Sequence, residues 1–192
     1  MWLRCRVGTA LEVPSTTNSR EDMMTTVAFA EVPTPVGPFV LAVTEVGLVA
    51  SGWGSPPRLS DRLGLAEVHD SDRTAFAVAE LNAYFAGDLK TFETPVDWRL
   101  MSGSRLRVLQ ALHQVPYGTA VTYGELAARS GSNVPARGIG SIMGSNPIPI
   151  IVPCHRVIAG NGLGGFSGGE GVETKRWLLT HEGYLQPTLL DF

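Results

Sequence analysis

The chain has 192 residues, enough for one large domain or two small ones with a core each. Its 44% hydrophobic and 17% charged residues are ordinary for a globular protein. No stretch approaches the roughly 20 apolar residues of a membrane span, and Met1 to Ala10 lacks the apolar centre of a secretion signal, so cytoplasm is the default.

The net charge of −3 argues against a strongly basic nucleic-acid binder, but the charge is unevenly spread. Residues 1–97 hold 7 Lys/Arg and 13 Asp/Glu, whereas residues 98–192 hold 8 and 5. A phosphate-binding face therefore belongs to the second half. The two cysteines, Cys5 and Cys154, are too distant in sequence to suggest a disulfide framework. Neither has a C-x-x-C partner and the four histidines are scattered, so neither a metal nor another cofactor is expected.

Residues 1–22 are polar, centred on Ser15-Thr16-Thr17-Asn18-Ser19, and read as a disordered leader, with Cys5 incidental to it. Strands are expected at Val27–Ala30, Gly37–Val43 and Gly47–Trp53, separated by the turn signals Pro35-Val36-Gly37-Pro38 and Glu45-Val46-Gly47. Ser55 to Asp72, opening on Pro56-Pro57, reads as loop. Ser71 to Phe85 has helical spacing through Phe76, Ala79, Leu81 and Tyr84, and Gly87 stops it. No carboxylate cluster marks this half as catalytic, so structural support is its expected role. Thr94 to Ser104 is the expected linker, dividing the chain into units 23–97 and 98–192.

Ser104 to Gln114 predicts a helix with Leu106, Val108, Leu109 and Leu112 on its apolar face. Thr122-Tyr123-Gly124-Glu125 has the spacing of a capping box. It opens a helix Tyr123–Arg129, stopped at Ser130-Gly131. A second helix is expected from Pro135 to Met143, with Ile139, Ile142 and Met143 inward. Two short helices across a Gly turn outline a helix-turn-helix. The second helix is rich in small residues, including Ala136, Gly138, Gly140 and Ser141. They cost helix propensity but permit the close approach that a narrow minor groove demands. Arg137 projects from this small-residue surface, where a plain phosphate contact is the other reading.

The apolar run Ile148–Val152 then meets Pro153-Cys154-His155-Arg156-Val157. A thiol is a weak nucleophile until deprotonated, and imidazole is one of few groups able to take its proton near neutrality. Asn146-Pro147 precedes this motif, a Gly-rich loop holding Phe166-Ser167-Gly168-Gly169 follows it, and His181-Glu182-Gly183 ends a later helix. A carboxylate at a helix C-terminus opposes the helix dipole, so Glu182 needs a cation, for which His155 and Arg156 are candidates.

From about Val115 to Gly183 these motifs, in this order, resemble the O6-alkylguanine-DNA alkyltransferases. The resemblance implies an N-terminal ribonuclease-H-like α/β domain, with Thr34–Pro38 as its early turn, and a C-terminal winged-helix-like domain that binds DNA. It implies one-turnover repair, in which Cys154 takes the alkyl group from O6-alkylguanine flipped out of double-stranded DNA, approached from the minor groove. It also implies roles for single residues. His155, through a water, would take the thiol proton, and Glu182 would orient the imidazole. Tyr123 would donate a proton toward the departing guanine. Arg137 would fill the space of the flipped base, with Gly138 and Ser141 beside it on the DNA. Asn146 would brace the turn before the cysteine, Phe166 would wall the pocket, and the Ser167 backbone would meet O6. Val157 closes the cysteine motif, and Lys175 would lie near the pocket or else on a solvated helix face. A monomer is implied, with cooperative binding along DNA left open.

The chain departs from the family pattern at Ser104-Arg105, where relatives carry Phe-Gln, and looser packing at the domain junction is expected there. Three other readings compete. A non-catalytic lesion binder is disfavoured by the presence of Cys154. A cysteine hydrolase would need an oxyanion hole and leaves Arg137 unexplained. A zinc-bearing regulator would need a cysteine cluster.

Overall fold

A computed structural model describes residues 25–187, apart from the side chains of Pro57 and Arg58. The expectations for residues 1–22 and Cys5 lie outside these residues. Three strands form an antiparallel meander: β1 (Thr26–Val32), β2 (Phe39–Val43) and β3 (Leu48–Trp53). A short β4 (Ala66–Glu67) pairs parallel with β1, giving the order β3-β2-β1-β4. Every residue of β2 is buried, as expected of a strand covered on both faces. Phe39, Leu41 and Val43 pack with Leu81 and Tyr84 of helix α2 (Ser71–Ala86), while Val40 and Ala42 pack with Leu59 of helix α1 (Pro56–Leu63).

Helix α1 overturns the reading of Ser55–Asp72 as loop. Its paired prolines sit at the first helical positions, where a missing N–H costs nothing, and Gly64 closes it in the left-handed conformation at φ 62°. Phe76 stands on the outer face of α2, 52% exposed. The expected linker is not free chain. Val96 bridges to Leu48, and Asp97, 1% exposed, accepts from Thr44 Oγ1 at 2.6 Å and pairs with Arg99 at 2.7 Å.

The second half contains α3 (Gly103–His113), β5 (Val121–Thr122), α4 (Tyr123–Arg129), α5 (Ala136–Gly144), β6 (Val157–Ile158) and α6 (Val172–His181). β5 and β6 pair in parallel. Leu109, Leu112, Leu126, Ile139 and Leu178 join the same apolar cluster as Phe39, Leu41 and Tyr84, so one continuous core links both halves. At the departure from the family pattern, Arg105 donates to the Ser145 carbonyl beyond α5 at 2.5 Å, a contact within the second half. No helix among the described residues is long and apolar enough to cross a membrane.

Candidate active site

The helix-turn-helix pair begins at the capping box. Glu125 N–H donates to Thr122 Oγ1 at 3.2 Å, and the Glu125 carboxylate accepts from Thr122 N–H at 2.6 Å. This fixes Tyr123 as the first residue of α4, half-buried, with its ring so close to Gly164 that a Cβ there would lie 3.2 Å from the phenol oxygen. Burial, and then the nearby Cys154, push the Tyr123 hydroxyl above its usual pKa, keeping it a proton donor. On α5, Ile139 and Met143 are buried and Ile142 half-buried, while Arg137 and Ser141 are exposed and Gly138 half-buried. A Cβ at Gly138 would come 2.7 Å from Val134, so the turn before α5 demands a glycine there.

Asn146 braces the loop that leads to the cysteine. Its Nδ2 donates to the Val152 carbonyl at 2.7 Å, and its Oδ1 accepts from Ile148 N–H at 3.1 Å. β3 clamps the same loop from the other half: Ser51 N–H donates to the Pro147 carbonyl at 2.8 Å and Ser51 Oγ to that of Pro149 at 3.1 Å. Between these ties Ile150 is held at φ 74°, a strained conformation for a β-branched residue.

Cys154 and His155 lie on a single 3-10 turn, Cys154–Arg156, rather than on a strand, so the two side chains are not forced to opposite faces. His155 is fully buried, and its Nε2 lies 2.8 Å from Glu182 Oε1. A carboxylate only accepts, so Nε2 carries the proton and Nδ1 keeps its lone pair. His155 Nδ1 is the one buried side-chain nitrogen or oxygen without a hydrogen-bond partner among the described residues. The unpartnered atom is therefore the one a general base would use.

Glu182 is the C-cap of α6. Both expected partners reach it, His155 as a neutral donor and Arg156 as the cation, whose Nε donates to Oε2 at 2.9 Å and Nη2 to Oε1 at 2.9 Å. Burial alone would raise the Glu182 carboxyl, but His155 and Arg156 outweigh it and hold the group well below the usual carboxylate range. Burial lowers the pKa of His155 against the pull of Glu182, which keeps the imidazole neutral and able to accept. Burial also raises the Cys154 thiol, partly offset by Asn146 and by the charge of Lys175, so a base is needed to produce the thiolate.

Lys175 is not on a solvated face. It is fully buried, and its Nζ donates to the carbonyls of Val157 at 2.6 Å, Leu163 at 2.5 Å and Gly165 at 3.3 Å. Burial brings its pKa down to about 8. It therefore ties the cysteine turn, through Val157, to the glycine-rich loop. Val157 itself is buried and serves that framework.

A cleft of about 400 Å³ opens at Cys154 between Met143–Asn146 and Phe166–Gly169. Phe166 and Ser167 line it, as expected, and Ser167 Oγ donates to the Gly144 carbonyl at 3.3 Å. The first half also contributes, which corrects the expectation of structural support alone: Ser51, Trp53 and Arg62 face the same cleft. Trp53 stands edge-on to Phe39 and Phe166 and donates to the Val36 carbonyl at 2.8 Å. Gly168 passes so close to its ring that a Cβ would come within 2.3 Å. Sequence reasoning missed Trp53 because a tryptophan ending an apolar strand has the signature of core. Among the described residues, no group of three His, Cys, Asp or Glu side chains could hold a metal ion. The site's chemistry is thus a buried thiol, a neutral imidazole with a free nitrogen, and an anchored carboxylate.

Residues 27–98 match the family described as 6-O-methylguanine DNA methyltransferase, ribonuclease-like domain, and residues 104–184 match its DNA binding domain. The chain is 38% identical over 164 residues to a methylated-DNA–protein-cysteine methyltransferase of Salmonella typhimurium, covering 81% of this chain and 95% of that one. It is 39% identical over 176 residues to the Mycobacterium bovis protein of the same name, covering 85% and 98%. Among solved structures, the Mycobacterium tuberculosis O6-methylguanine methyltransferase superposes with TM-score 0.68 at 36% identity, covering 87% of this chain and 98% of that one. The M. tuberculosis OGT solved in complex with DNA superposes with TM-score 0.69 at 37% identity, covering 82% and 93%.

Proposed function

This chain belongs to the 6-O-methylguanine DNA methyltransferase family, and on that premise we propose which of its residues carry the reaction and how. The protein repairs DNA by moving the methyl group of O6-methylguanine onto one of its own cysteines, and that cysteine is Cys154. The observation that carries the assignment is the free Nδ1 of His155, beside Cys154 in the chain and backed by Glu182 through Nε2.

In the reaction, His155 Nδ1 accepts the thiol proton through a water while the Glu182 carboxylate stabilises the imidazolium, the logic of a catalytic triad applied to sulfur. The sulfur lone pair forms an S–C bond to the methyl carbon as the O6–C bond breaks. Tyr123 donates a proton toward the departing base, and guanine leaves unmethylated. The thioether left on Cys154 is a poor electrophile with no route back to thiol, so each molecule turns over once.

The methyl carbon lies within the base stack, so the nucleotide must be extruded, at a cost of a few kcal/mol that a damaged pair lowers. Double-stranded DNA is the partner, and the small-residue face of α5 with Gly138 and Ser141 enters the minor groove. Arg137 fills the space left by the flipped base. Phe166 walls the pocket, the Ser167 backbone meets O6, Asn146 braces the cysteine turn, and Lys175 and Val157 hold the loop to that turn. We divide the chain into units 23–97 and 98–192 and take the monomer as the active form. We place the reaction in the cytoplasm, where a thiol stays reduced.

The test uses a duplex in which O6-methylguanine blocks a restriction site. The full chain restores cleavage in proportion to the protein added, and Cys154→Ala restores none while still shifting the duplex in a gel. Restoration by Cys154→Ala would reassign the nucleophile.

A further inference from the structure

Glu182 receives a donor that the mechanism above does not use. Tyr84, near the end of α2 in the first half and 98 residues away in sequence, donates its hydroxyl to Glu182 Oε1 at 2.8 Å. That is the same oxygen that meets His155 Nε2 at 2.8 Å and Arg156 Nη2 at 2.9 Å. Tyr84 is fully buried, and its ring stands among Phe85, Phe92, Tyr117 and His181. Core packing accounts for the ring. It does not account for the hydroxyl, because phenylalanine would fill the same space and bury no polar atom.

We propose that Tyr84 is a positioning residue of the transfer reaction, whose hydroxyl caps Glu182 Oε1 and so sets how strongly His155 takes up the thiol proton. The proposal rests on His155 being the base for Cys154. A carboxylate oxygen shared among three donors has less electron density for each, so every added donor weakens the stabilisation of the imidazolium. Removing the phenol hydroxyl gives His155 a larger share of Oε1 and makes it more basic. The ribonuclease-like half therefore reaches into the chemistry.

The charged and titratable groups around this oxygen come from four elements. Cys154 and Arg156 share the 3-10 turn with His155. Lys175 and His181 lie on α6, His181 holding the Tyr84 carbonyl with Nε2 at 2.8 Å. Tyr117, in the turn after α3, packs on Tyr84 and lies 5.8 Å from the Arg156 guanidinium and 6.0 Å from Lys90 Nζ. Among the described residues, only Tyr84, His155 and Arg156 touch Oε1 itself. Of these three, His155 is the group whose proton the reaction moves, and it is the group that Tyr84 tunes.

The test is the pH profile of the full-length Tyr84→Phe variant, read in two ways. One is the rate of methyl transfer from duplex O6-methylguanine DNA. The other is the rate of Cys154 carbamidomethylation by iodoacetamide, followed on the Cys154 peptide. Each rate falls at low pH as His155 becomes protonated. In Tyr84→Phe that fall moves to higher pH by about half a unit or more, about a threefold loss on the falling limb at constant pH. A limb that stays in place or moves to lower pH overturns the proposal, whatever happens to the high-pH plateau, because a merely structural tyrosine changes the plateau alone. If Tyr84→Phe does not fold, 3-fluorotyrosine placed at position 84 keeps the ring and the hydroxyl but donates more strongly. It moves the limb to lower pH, and an unmoved limb again overturns the proposal. Iodoacetamide needs no DNA, so absence of methyl transfer in the unmodified chain would count against the repair reading while the alkylation limb still decides the role of Tyr84.

Discussion

Arg156 holds both oxygens of Glu182, through Nε to Oε2 and Nη2 to Oε1, each at 2.9 Å, with the Glu182 side chain fully buried and that of Arg156 7% exposed. Its third nitrogen, Nη1, donates to the Val115 carbonyl at 2.6 Å. Such a pair contributes little relative to a well-packed apolar pair, but breaking one side leaves a buried charge. Arg156→Met is therefore expected to destabilise the fold by about 3–5 kcal/mol, read as a lower urea midpoint. The double variant Arg156→Met with Glu182→Met recovers part of that loss and remains inactive in transfer.

The anchoring of Glu182 also sets an acid limit. Its folded pKa is depressed by His155 and Arg156 acting against burial. Its contribution to stability is thus fully present above the unfolded carboxyl value of about 4.3 and is lost as pH falls from there toward the folded value. Thermal scans between pH 6 and pH 3 are expected to show a steeper fall in Tm for the unmodified chain than for Glu182→Gln. Parallel curves would remove Glu182 as the cause.

Lys175 gives a dependence of the same sign in a more alkaline window. With its pKa at about 8 in the folded chain against 10.5 ordinarily, the unfolded chain binds the extra proton between those values, and the contribution of Lys175 to stability rises with pH across that window. Lys175→Met removes this rise and leaves the carbonyls of Val157, Leu163 and Gly165 without their buried donor. At pH 7 it is expected to cost about 1–3 kcal/mol and to loosen the 163–166 loop. The difference between the two urea midpoints at pH 7.5 and pH 9.5 measures the first effect, and amide exchange of the loop measures the second.

Arg137 is exposed on α5. If it fills the gap left by a flipped base, Arg137→Ala slows transfer from duplex DNA by at least tenfold, about 1.4 kcal/mol. Transfer from the free modified base changes little. Equal losses on both substrates would make it an ordinary phosphate contact.

Local signals in the sequence carried most of the second half. Thr122 and Glu125 are three residues apart and cap each other, so the start of α4 at Tyr123 is readable from spacing alone. The charge at the end of α6 demanded a cation, and Arg156 supplies it, with the neutral His155 as a second donor. Signals that depend on what packs where were not readable. Pro56-Pro57 marks a loop and a helix start equally well, and only packing of Leu59 on Val40 and Ala42 decides for α1. Lys175 has the pattern of a solvated helix face until three carbonyls from the cysteine turn and the following loop close over it. Tyr84 and Trp53 have the signature of core, and their polar contacts, to Glu182 98 residues away and to the Val36 carbonyl in the turn before β2, leave no mark in local spacing.

Mass spectrometry of the intact protein and its peptides, after mixing with excess duplex DNA carrying O6-methylguanine, tests the methyl transfer to Cys154 most directly. One added methyl group per chain, on the Cys154 peptide and saturating at that level, is the expected result. No added mass on a reduced, folded chain that still shifts the same duplex in a gel would contradict it and leave a lesion-binding protein.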